Sequence, residues 1–231
     1  METAPFSYPG QDETPYRQWF ARDFQSVFVA LNPFLRLPGH PPWKNGDWIP
    51  ESVLKTAKTQ GPSCGVSWQE IADMCGFASI RQVNRALRLT GSKRLPPEFA
   101  CPEETEHMLR ACAARSIYPP DEGRASPLLE LSMGAFVQAL GHQEVVAAGH
   151  WGVSQSRLPA HDLLDKSQEC DWVELWPADL SFYCTIYTDY HYYLICQTSS
   201  SLQKARPEAY FEGFYAEEDT CDFWGIGRLS G

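Results

Sequence analysis

SWQEIADMCGFASIRQVNRALRLTG (residues 67–91) sets the fold class, because it reads as two short helices joined at a glycine. Ser67 followed three residues on by Glu70 is a capping box, and Ser79 followed by Gln82 predicts a second. Gly76 lies between them, where a left-handed residue ends the first helix. Trp68, Ile71, Ala72 and Cys75 recur at i, i+3, i+4 and i+7, giving that helix one apolar face. On the second helix Ile80, Val83 and Leu87 point inward, and Arg81, Arg85 and Arg88 are expected to form an outward basic stripe.

Upstream, Thr14-Pro15 opens a helix over 14–24, and a strand over 26–31 ends at Asn32-Pro33. RLPGHPPWKNGDWIP (36–50) holds four prolines, two glycines and two tryptophans. It reads as an irregular loop packed by its own rings or by something else. Downstream, a third helix over 102–115 begins with Glu103 and Glu104 at its positive end. A fourth starts at Ser126-Pro127, with a well-formed cap, and ends at Gly141.

Beyond residue 141 the texture changes. Residues 144–148, 172–176, 182–188 and 192–197 are rich in β-branched and aromatic side chains and predict strands. The last two form a hairpin around Asp189-Tyr190-His191. A short helix over 201–205 precedes an acidic aromatic tail. The expectation is one α+β domain over 1–231, helix-rich over 1–141 and strand-rich over 142–231. Its helical half, including the helix pair, packs on a mostly antiparallel C-terminal sheet.

Charge bears on function. The chain has 19 Lys+Arg against 29 Asp+Glu, a formal charge of −10. Residues 67–94 hold two acids (Glu70, Asp73) and five bases (Arg81, Arg85, Arg88, Lys93, Arg94), a net +3 that leaves −13 on the rest. A DNA binder draws affinity from neutralising phosphates, and a negative body opposes that approach. EIADMCGFASIRQVNRALR nevertheless resembles the helix-turn-helix of AraC-type activators, through Ile71, Ala72, Gly76, Phe77 and Ser79 before a basic helix. That resemblance implies DNA contact by Arg81, Gln82, Arg85 and Arg88. Such activators carry two units and one is visible, so charge favours an ordinary helical hairpin with a solvated basic face.

Catalytic patterns are sparse. Cys184, Asp189 and His191 could be imagined as nucleophile, acid and base, or the last two as metal ligands, which gives a hydrolase or metalloprotein as a further alternative. At a hairpin turn nothing places Asp189 and His191 against Cys184. The remaining histidines (His40, His107, His142, His150, His161) are scattered, and no P-loop, G-x-G-x-x-G or G-x-S-x-G is present. No catalytic residue, metal or cofactor is expected. The polar start METAPFSYPGQDET is not a signal peptide, and no apolar run reaches membrane-spanning length. A cytoplasmic protein is expected, monomeric or homodimeric. Its eight cysteines, Cys170 among them, form no C-x-x-C pair and read as free thiols.

The tail carries the leading functional reading. Glu208, Glu212, Glu217, Glu218, Asp219 and Asp222 alternate with Tyr210, Phe211, Phe214, Tyr215, Phe223 and Trp224, without one base. Acids beside rigid rings suit capture of a basic protein, the charges steering and the rings supplying buried area. The contact surface is expected at Glu212, Tyr215, Glu217, Glu218, Asp219 and Trp224.

V-S-W-Q-E-I (66–71), G-F-A-S-I (76–80), the Asp189–His191 hairpin, E-G-F-Y-A-E-E-D-T (212–220) and F-W-G (223–225) together resemble a family of uncharacterised bacterial proteins classed as a domain of unknown function. That resemblance brings no activity and no site residue. The ending also resembles those of small acidic immunity proteins. This implies a non-enzymatic protein that occludes the active cleft of a basic toxin, such as a nuclease, with no membrane or nucleic-acid partner.

Overall fold

The computed structural model describes residues 5–9, 13–41, 43–44, 46–91, 95–149, 154–167 and 172–226. Lys93, Arg94, His150 and Cys170 lie outside the described residues. The architecture is α+β, with seven α-helices and ten strands among the described residues. Helix α1 is Tyr16–Phe20 and strand β1 is Ser26–Leu31; β2 (Phe34–Arg36), α2 (Glu51–Gln60) and β3 (Gly65–Val66) follow. The helix pair is α3 (Trp68–Cys75) and α4 (Ile80–Leu87), after which come α5 (Pro102–Ala113), β4 (Ile117–Tyr118) and α6 (Pro127–Ala139). The remainder is β5 (Glu144–Ala148), β6 (Gln155–Pro159), β7 (Glu174–Trp176), β8 (Phe182–Thr185), β9 (Tyr192–Gln197), α7 (Ser199–Lys204) and β10 (Gly213–Tyr215).

Seven strands form one sheet in the order β10-β1-β9-β8-β7-β5-β6, and every recorded pairing within it is antiparallel. The division into a helical and a sheet half is crossed by β1, which sits inside this sheet between β9 and β10. Alternation along β1 explains the layering. Val27, Val29 and Leu31 face one core with Trp68, Ile71, Val83 and Leu87 of the helix pair, while Phe28 and Ala30 face another with Leu129, Met133 and Phe136 of α6. Helices cover both faces, so SVFVAL and YYLICQ read as unbroken apolar runs instead of alternating ones. Burying a ring such as Phe28 or Trp68 on either face contributes roughly 1.5–3 kcal/mol.

Several elements differ from expectation. The first helix is shorter than 14–24, the strand predicted over 182–188 stops at Thr185, and the connection to β9 spans 186–191. The 172–176 strand begins at Glu174. Helix α2 was invisible in sequence because it opens after Pro50 with no side-chain cap and buries a lysine. Lys58 meets Glu130 of α6 at 2.6 Å, both almost fully buried. A second sheet, β3-β2-β4, is made of strands of two or three residues, too short to show a period. Edge strands β6 and β10 carry no fully buried residue, so the sequence shows no apolar run at either.

The helix pair follows its capping chemistry. Ser67 and Glu70 exchange both bonds of a capping box, and Gly76 closes α3 at φ 66°, a left-handed conformation open to glycine. The second cap is not a full box. Ser79 Oγ accepts from Arg81 N at 3.3 Å, but Gln82 reaches past it to Ala78 N.

Candidate functional site

The C-terminal segment decides which charges face solvent. Glu217 N donates to Thr220 Oγ1 at 2.9 Å and Thr220 N returns to Glu217 O at 3.3 Å, closing a turn. Glu217, Glu218 and Asp219 are all exposed on it. Tyr16 N donates to Thr220 O at 2.9 Å, so the start of α1 is laced to the same turn. Between them opens a cleft of about 560 Å³, lined among others by Glu13, Arg81, Glu217, Asp219, Phe223 and Trp224. Its three carboxylates and one guanidinium leave two net negative charges.

The floor of this region is a buried polar network. Asp222 is 2% exposed, and its Oδ1 accepts from the hydroxyls of Tyr8 and Tyr16, each at 2.6 Å. Tyr16 and Tyr192 hydroxyls lie 2.8 Å apart. Burial pushes the Asp222 carboxyl up to about 6, with the tyrosine donors and Arg88 pulling the other way. Helix α4 holds the chain after this aspartate: Arg88 Nη2 donates to Asp222 O, and Asn84 Nδ2 donates to Trp224 O at 2.9 Å. Gly225, at φ 80°, permits that approach. A Cβ there would stand 2.7 Å from Arg81 Cβ and 2.9 Å from Arg81 Cα.

The structure separates the six residues expected to form one contact surface. Glu217, Glu218 and Asp219 are exposed together. Glu212 instead accepts from Trp68 N at 2.8 Å and Gln69 N at 3.0 Å, capping α3 with its carboxylate. Burial raises its pKa, partly offset by those two donors. Tyr215, on edge strand β10, donates to Glu208 Oε2 and packs edge-on against Phe28 at 5.2 Å. Trp224 is corrected most clearly: it is 8% exposed and packs among Trp68, Tyr192 and Phe214, so it belongs to the core and offers at most an edge to the cleft. Phe211 and Trp224 turn inward, and so does the acid Asp222, so the alternation of acids and rings is not an alternation of outside and inside.

The basic stripe is corrected as well. Arg81 alone of its three arginines is exposed. Arg85 grips Glu104 of α5 through Nε at 2.7 Å and Nη2 at 2.5 Å, and Gln82 Nε2 donates to the same carboxylate at 2.9 Å. Although partial burial alone would raise it, Glu104 is held below the usual carboxylate range by these donors. Arg88 is 5% exposed, its guanidinium carbon 3.8 Å from the centre of the Tyr190 ring. Two of the three arginines of the predicted solvated face are therefore turned into the protein, against partners distant in sequence, and Arg81 alone stays outside.

Cys184 is fully buried on β8, and burial raises its thiol far above the ordinary value. His191 is not a surface turn residue: it is 1% exposed, and burial followed by the charge of Arg88 drives its pKa down to about 3. No group of three or more His, Cys, Asp or Glu able to hold a metal occurs among the described residues. No helix among them is long and apolar enough to cross a membrane. Sequence reading missed Glu13 and the Asp222–tyrosine network. The only signal was the abundance of tyrosine, since Tyr16 and Asp222 are 206 positions apart.

The chain matches, over residues 12–226, the model of a family described as a protein of unknown function (DUF2711), and it belongs to that family. No curated protein and no solved structure gives a match.

Proposed function

We propose that this member of the DUF2711 family is a non-enzymatic protein-binding protein that captures a basic partner, in the manner of an immunity protein covering the active cleft of a cationic toxin such as a nuclease. One observation carries the reading. The three consecutive acids of the 217–219 turn stand exposed at the rim of a negatively charged cleft, while the basic helix beside it has two of its three arginines paired inside the protein. Acids held on a closed turn steer a cationic surface at long range and lose little entropy on contact. The cleft accepts a basic side chain of the partner between Glu13, Glu217 and Asp219.

The same arrangement weakens the case for DNA. Arg85 and Arg88 are the residues a recognition helix would extend to phosphates and bases, and here they hold α5 and the C-terminal segment. Arg81 is left beside an acidic turn that repels phosphate. The test is a pull-down from nuclease-treated native lysate, with the parent protein and Glu217→Lys/Glu218→Lys compared at low and moderate salt. A single basic protein recovered by the parent, released by salt and lost in the double variant, is the expected result. Recovery indifferent to charge reversal, or of nucleic acid in untreated lysate, would overturn the proposal.

A further inference from the structure

A strap precedes α1. Residues 5–9 lie in no helix or strand, and no hydrogen bond between main-chain groups joins them to another described residue. Side chains make the attachments instead. Phe6 packs against Phe24 and Tyr183, with ring centres 5.0 and 5.1 Å away. Trp19 Nε1 donates to Ser7 O at 2.8 Å. Tyr8 packs against Tyr187 and Tyr190 and gives its hydroxyl to Asp222 Oδ1 at 2.6 Å. A segment tied in this way opens locally at lower cost than the hydrogen-bonded sheet.

Asp222 is the anchor of this strap that changes charge. The groups facing it are Tyr8 from the strap, Tyr16 from α1, Arg88 at the end of α4, Tyr190 from the 186–191 connection and Tyr192 from β9, with Cys221 beside it in the chain. Burial pushes all four tyrosines and the Cys221 thiol upward, so they stay neutral through the acid and neutral range. Arg88 is the single cation of the six, and its guanidinium goes to the Asp222 carbonyl and the Tyr190 ring. Covering the carboxyl strips it of water, the tyrosine hydroxyls return part of what is lost, and its pKa settles at about 6 against 3.8. A group that holds its proton more tightly when covered is covered more tightly when protonated. The strap therefore closes firmly below pH 4 and loosens as pH rises through 6.

We propose that residues 5–9 form a proton-linked strap, clamped through Tyr8 while Asp222 is neutral and released as the carboxyl gives its proton to water. Release uncovers Tyr187 and Tyr190. It also leaves a hydrated carboxylate between Cys221 and Phe223, two residues that line the acidic cleft. Opening is a property of the free chain, so it stands whether or not the cleft captures a basic partner.

Hydrogen exchange of the Trp19 indole N–H tests this, because its acceptor lies on the strap. The full chain is followed by NMR from pH 4 to 8, with N-acetyltryptophanamide giving the intrinsic rate at each pH and the β9 amides reporting global unfolding. Protection of the indole should fall by at least about tenfold between pH 4 and 7, against a ceiling of about a hundredfold set by the two pKa values. It should stay well below that of β9 throughout. Asp222→Asn keeps the acceptor for both tyrosines and should flatten the profile. Tyr8→Phe keeps the ring and should lower protection several-fold at pH 4. A flat profile in the parent, an unchanged slope in Asp222→Asn, protection equal to that of β9, or no loss in Tyr8→Phe overturns the proposal.

Discussion

Helix α4 and the 217–219 turn line one cleft, through Arg81 and through Glu217 and Asp219, and carry opposite charges, yet the molecule uses them in opposite ways. The helix turns two of its three cations inward: Arg85 to Glu104, Arg88 to Tyr190 and the carbonyl of Asp222, with Arg81 left exposed. The turn keeps its acids outside, fixed by the Glu217–Thr220 bonds. Charge in a sequence therefore carries two meanings. Long, forked arginines can reach across a domain and be absorbed, whereas Glu217 and Glu218, side by side on a tight turn, stay exposed.

The largest break of this contrast comes from Arg88. Replacing it with leucine should cost about 3–5 kcal/mol in denaturant unfolding, since the Asp222 carbonyl and the Tyr190 face lose a buried cation. Arg81→Ala, on the same helix but exposed, should stay within about 0.5 kcal/mol. Equal effects would show that α4 is uniformly solvated.

Next comes pH. Asp222 titrates at about 6 in the folded protein against an ordinary 3.8. The folded state thus binds the proton more tightly than the unfolded chain. Its contribution is fully present below pH 4 and is lost as pH rises through 6, by up to about 3 kcal/mol. Asp121, also raised to about 6, adds to the same slope. In Asp222→Asn the loss of stability between pH 4 and 7 should shrink by about half, measured by chemical unfolding across that range.

Smaller still is the cap. Glu212→Ala leaves Trp68 N and Gln69 N uncapped and should lower stability by about 1–2 kcal/mol. Amide exchange in the first turn of α3 should report it most sharply. Charge reversal at Glu217 and Glu218 should change unfolding by no more than about 0.5 kcal/mol, because these side chains hold nothing.

Much of this architecture was legible in the sequence. Ser67, Glu70 and Gly76 bound α3 by local chemistry that needs no tertiary information, and the β1 and β9 runs were found to the residue. The inward turn of Arg85 and Arg88 was not legible, since their partners lie 19 and 134 positions away. The same limit hid α2, whose helical period is blurred by a lysine buried against Glu130. At the candidate site, the exposed acids could be read from Glu217-Glu218-Asp219 as an unbroken run. Trp224 could not, because a ring beside acids looks the same in sequence whether it faces solvent or packs on Trp68.

The most direct test of this contrast is a paired anisotropy titration at low salt, using a labelled lysine-rich peptide and a labelled DNA duplex with the parent, Glu217→Lys/Glu218→Lys and Arg81→Ala. The account predicts salt-sensitive peptide binding that falls several-fold on charge reversal, with no retention of DNA by any of the three. Peptide binding untouched by the reversal, or DNA binding that disappears with Arg81→Ala, would contradict it.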